Sequence, residues 1–94
     1  MKLVVAPSAA RDLANQLGYL VDQGASDAAD RLEQRMTAYL STTLAAYPRA
    51  GIPLHVRGLW ETWVPKTRLI VWYRFTANEL QIVRDWHTSQ DRRA

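Results

Sequence analysis

Hydrophobic and polar positions along the chain change period once. Leu13, Leu17, Leu20 and Val21 recur at helical spacing, and Ala29, Leu32, Met36, Tyr39, Leu40 and Leu44 do so again. Each set forms the apolar stripe of an amphipathic helix. Beyond Pro53 the period becomes two. Leu69, Val71, Tyr73 and Phe75 fall on one face of a strand, and Arg68, Ile70, Trp72 and Arg74 on the other. Ahead of the helices, Lys2 to Ala6 is β-branched and apolar and stops at Pro7, which predicts a short opening strand.

Punctuating residues set the boundaries. Ser8 is the expected N-cap of the first helix, its hydroxyl accepting from the unpaired backbone N–H groups of the first turn. Gly24 can take the left-handed conformation that closes a helix, and Ser26 is the expected cap of the next, with Asp27 favourable to its dipole. The second helix ends before Pro48, and Pro48, Gly51 and Pro53 mark a linker. Strands are then expected over Val56 to Val64, Arg68 to Thr76 and Glu79 to Trp86, with turns at Pro65-Lys66-Thr67 and Ala77-Asn78. Thr88 to Ala94 is polar, lacks an apolar stripe, and reads as a frayed or partner-ordered tail.

The predicted fold class is therefore α+β: an N-terminal strand, a helical hairpin, then a three-strand antiparallel meander, all in one sheet. The opening strand must pair with a late one to avoid standing alone. Leu13, Leu17, Leu20, Leu32, Met36 and Leu40 should pack onto Leu69, Val71, Tyr73 and Ile82, leaving the face of Arg68, Ile70, Trp72 and Arg74 to solvent or a partner.

Composition narrows the chemistry. A length of 94 residues suits one domain spanning 1–94, and the absence of cysteine excludes disulfides and thiolate metal sites. The apolar run at the N-terminus is too short for a signal-peptide core or a membrane span, so a cytoplasmic protein is expected. The net charge of +3 sits in the second part of the chain, where residues 57–94 hold seven basic and four acidic side chains and all four tryptophans. That balance suits an anionic partner, a nucleic acid or an acidic protein segment. Nucleotide-binding glycine patterns are absent, and Asp27, Asp30 and Glu33 lack the spacing and glycine of a calcium loop. No cofactor or metal is expected.

Taken in order, the motifs resemble a known family. Pro7, Ala10, Asp12 and Leu13 look like its first helix entry, and Tyr19, Gly24, Ala28, Ala29 and Leu32 its turn and second helix. Pro48 and Gly51 fall where that family breaks from helix to sheet. Arg68 to Phe75, RLIVWYRF, resembles its central strand, while Ile82, Val83, Arg84 and His87, then Gln90-Asp91-Arg92, resemble its last strand and tail. The family is the RelE/ParE toxin superfamily, and the likeness, nearly chain-long, is closer to the ParE-type toxins of type II toxin–antitoxin pairs. It implies a cognate antitoxin that wraps the sheet and helices. It also implies one of two targets, DNA gyrase for ParE-like members or the ribosome, where RelE-like members cleave mRNA. An inactive member kept for binding or autoregulation is a third reading.

The nuclease reading has definite needs: a base for the 2′ proton, cations for the developing phosphate charge, and an acid for the leaving oxygen. Its candidates are Arg68 and Arg84 as phosphate clamps and His87 as the titrating group. Against it, Ala50 to Val56 carries no glutamate or lysine, His87 is followed by Thr88, and basic density is low for ribosomal RNA. The favoured reading is ParE-like, with no active site of its own. The expected target or antitoxin surface is Arg57, Trp72, Arg74, Trp86, Asp91, Arg92 and Arg93.

Overall fold

In the computed structural model, residues 1–56 and 58–87 are described. The elements in chain order are β1 (Lys2–Val5), α1 (Pro7–Asp22), α2 (Ser26–Ala38), β2 (Ile52–Pro53), β3 (Trp60–Trp63), β4 (Leu69–Phe75) and β5 (Glu79–His87). They form a helical hairpin on a five-stranded sheet of order β1-β5-β4-β3-β2. The α+β class and the late partner for β1 are as expected: β1 runs parallel to β5, and the remaining pairs are antiparallel. The added strand, β2, is two residues long and pairs Ile52 with Glu61.

Two capping expectations fail, Ser8 for α1 and Ser26 for α2, each serine lying inside its helix. Ala6 is the N-cap of α1, with Pro7 entering the first turn, and neither helix has a side-chain cap. Pro7 carries no N–H to be capped and its fixed φ already suits a helix start. Ser8 is thereby inside α1, and its hydroxyl donates instead to the Val83 carbonyl at 2.7 Å. Gly24 closes α1 at φ 76° as expected. Past α2 the helix widens into a π-turn, Tyr39–Leu44, before breaking ahead of Pro48. The hydroxyls of Ser41 and Thr42 donate back to the Thr37 and Ala38 carbonyls there, the local competition that loosens regular α-turns.

The core lies between this second helix and the sheet. Met36, Leu40 and Leu44 pack on Val64, Leu69, Val71, Tyr73, Leu80 and Ile82, with Leu13 and Leu32 at the margin. Leu17 and Leu20 are half-buried and lie outside that cluster, so the tip of the hairpin is packed more lightly than the sequence stripe implied. The expected strand from Val56 shortens to Trp60–Trp63. The backbone before it closes on itself, Leu54 donating to the Leu59 carbonyl and Leu59 to that of Val56.

The back of the sheet corrects the expected solvent face. Ile70 is fully buried and Trp86 is 7% exposed, while Arg74 is exposed. Trp86 sits directly across from Ile70, and its ring meets that of Trp72 edge-on at 4.3 Å. Two indoles thus shield the back of the central strand, which is how a small sheet buries both faces with helices on one.

Candidate functional site

One extra residue in β5 decides where the candidate side chains point. Tyr73 of β4 faces Ile82, but Trp72 faces Arg84, so Val83 is an unpaired insertion, a β-bulge. Before it, Leu80 and Ile82 face the helices. After it, the alternation is reversed: Asp85 opposite Val71 and His87 opposite Leu69 lie on the helix face, with Arg84 and Trp86 on the back. Plain alternation from Leu80 would have sent Asp85 and His87 outward.

The same bulge lies where β1 runs out. The last backbone bond of the β1–β5 ladder is Ala6 N–H to the Ile82 carbonyl, at 2.8 Å. From that point α1 takes over the strand edge with side chains four residues apart. Ser8 donates to the Val83 carbonyl, Asp12 accepts the Asp85 N–H at 3.2 Å, and Gln16 donates to the Asp85 carbonyl at 3.3 Å. Positions four apart stack on one helix face, so a stripe of three polar residues stands in for a missing strand.

Charges converge on this seam. Asp12 receives the Arg84 guanidinium through Nε at 2.7 Å and Nη2 at 3.2 Å, a two-point grip characteristic of arginine and carboxylate. That hydrogen bond raises the Arg84 pKa further. The Arg84 guanidinium also lies 5.1 Å from the Trp86 ring centroid, over its face. Asp85 is 1% exposed and takes a bond from Gln16 Nε2 to Oδ1 at 3.0 Å. Burial, reinforced by the Asp12 charge, pushes its carboxyl up to about 7 against the opposing pull of Gln16 and Arg84. Gln16 and His87 then line a cavity of about 450 Å³, with Asn15, Tyr19, Leu20, Ala28 and Leu32 completing its walls.

The three residues proposed for RNA cleavage are not brought onto one face. Arg84 is engaged by Asp12, His87 is half-buried on the opposite face of β5, and Arg68 is exposed in the turn before β4. Of the expected binding surface, Arg74 is exposed, Trp72 is half-buried with its Nε1–H donating to Glu61 at 3.0 Å, and Trp86 is covered. Arg57, Asp91, Arg92 and Arg93 lie outside the described residues. The sequence reading missed Asp85 and Gln16 altogether. Their signals were the adjacent apolar pair Ile82-Val83, which breaks alternation, and the spacing of Ser8, Asp12 and Gln16. Among the described residues no group of three or more His, Asp or Glu is placed to hold a metal, and no helix is long and apolar enough to cross a membrane.

A strand, a helical hairpin and a mixed sheet with a parallel β1–β5 pair define a ParE-like fold. Comparison with solved structures agrees: the chain matches one from the chromosomal ParDE TA system of P. aeruginosa with a TM-score of 0.79 at 22% identity, covering 93% of this chain and 95% of that one. No protein-family model matches the sequence, and no curated protein matches it.

Proposed function

We propose that the chain is the toxin of a type II toxin–antitoxin pair, a cytoplasmic ParE-like protein that halts growth by binding an essential target such as DNA gyrase. The observation that carries the reading is the near-complete structural match to a chain of a ParDE TA system. The placement of Arg84 and His87 on opposite faces of β5, with Arg84 held by Asp12, supports a binding toxin over a nuclease, since a phosphate clamp and a proton donor must converge on one scissile bond. The partner expected is an antitoxin encoded beside it.

Induction in a bacterial host tests the target. DNA-damage signalling without cut mRNA is the expected result. Ribosome-bound mRNA cut by the purified protein, and spared by His87→Ala, would reverse the reading. Isothermal titration with the neighbouring gene product tests the pair itself, and absence of binding would remove the toxin–antitoxin assignment.

A further inference from the structure

Two buried oxygens at the α1–β5 seam have no hydrogen-bond partner: Gln16 Oε1 and Asp85 Oδ2. They belong to two groups already joined by one bond, Gln16 Nε2 to Asp85 Oδ1 at 3.0 Å. A carboxylic acid and a primary amide are complementary through two bonds, amide N–H to one acid oxygen and acid O–H to the amide oxygen. The atoms lacking partners here are the two that would form the second bond. A proton on Oδ2 would supply the donor that Gln16 Oε1 lacks. Without it, two buried acceptors have no donor, beside a second carboxylate, Asp12, on the same seam.

We infer that Asp85 and Gln16 form a proton-operated latch: a neutral acid–amide pair clamps α1 to the end of β5, and loss of the proton loosens that seam. The charged and titratable groups around it are Asp12 on α1 and Arg84 and His87 on β5. From β4 the residue opposite Asp85 is Val71, which cannot titrate. Arg84 does not supply the missing donor: its guanidinium is turned to Asp12 through Nε and Nη2, and Asp85 Oδ2 accepts from neither. The cavity beside Gln16 and His87 shares the seam, so its wall is held by the latch.

The sign follows from the direction of the shift. Asp85 stands near pH 7 in the fold against 3.8 for an unperturbed aspartate. Between those values the folded chain holds a proton that the unfolded chain has released, so stability falls as pH rises from about 4 through about 7. This group alone should weaken the folding equilibrium by roughly 10- to 100-fold between pH 5 and pH 8.

The decisive variant is Asp85→Asn in the full-length chain. Its amide offers an N–H where the acid offers O–H, so the two-bond pair persists at every pH. Urea unfolding at pH 5 and pH 8 should show the native chain losing stability and Asp85→Asn losing much less, with the variant the more stable of the two at pH 8. A carbon-13 NMR titration of the Asp85 carboxyl gives a second readout and should place its midpoint well above the ordinary aspartate range. If Asp85 works instead as an ionised partner of Arg84, its carboxyl titrates at or below that range and Asp85→Asn is the less stable chain at pH 8. Either result overturns the latch.

Discussion

Tyr73 shows how one polar atom organises the back half of this small core. Its ring is fully buried, yet its hydroxyl reaches the linker, donating to the Pro48 carbonyl at 2.6 Å and accepting the Gly51 N–H at 3.1 Å. Burial raises its pKa, so it stays a donor through the physiological range. A Cβ on Gly51 would collide with that hydroxyl and with the Glu61 carbonyl. Glycine is required there by space, not by φ, which is −82°. Gly51→Ala should cost about 1–3 kcal/mol from overpacking, and Tyr73→Phe a similar amount from two backbone groups left without their partner. In urea denaturation the double variant should lose less than the sum, because removing the hydroxyl relieves one of the two collisions.

At the scale of elements, α1 does two jobs, and its sequence advertised one. The apolar stripe was legible, and so were the helix boundaries to within a residue or two, because Pro7, Gly24 and Pro48 act locally. The polar stripe Ser8, Asp12 and Gln16 was not, because its partner is the edge of β5, more than sixty positions away in sequence. The bulge at Val83 had the same character: Ile82-Val83 hints at it, but which later residues turn inward depends on pairing with β4. For that reason residue type along the strand points to Arg84 and His87 and passes over Asp85 between them. Asp12 serves both Arg84 and the Asp85 N–H, whereas Arg84 serves only Asp12 and the Trp86 face among the interactions described. Asp12→Ala should therefore cost about 1.5–3 kcal/mol, from charged hydrogen bonds lost and a buried N–H left without its acceptor. Arg84→Ala should cost less, since its side chain is 36% exposed and the pair is partly screened. Thermal or urea midpoints of the two variants at one pH rank them directly, and equal losses would argue against the capping role of Asp12.

For the molecule as a whole, the dense core and the polar seam separate along its length. The dense core lies under the second half of the helical hairpin, so Leu44→Ala should cost about 2–5 kcal/mol, while half-buried Leu17→Ala should fall below that range. The seam end carries the polar network, the cavity and His87, the proton-transfer candidate of the nuclease reading. The two mechanisms therefore predict different relations between toxicity and folding. A positioned acid or phosphate clamp contributes through the transition state, so His87→Ala in a nuclease would lower the rate roughly 100-fold or more at unchanged stability. In a binding toxin, side chains at this end matter only as far as they keep the fold or the contacting surface. Toxicity on induction, measured beside the urea midpoint of each purified variant, distinguishes these. Arg84→Ala and Asp12→Ala should reduce toxicity no more than their loss of folded protein explains, and His87→Ala should remain toxic. A stable His87→Ala chain without toxicity would instead place that imidazole in an active site.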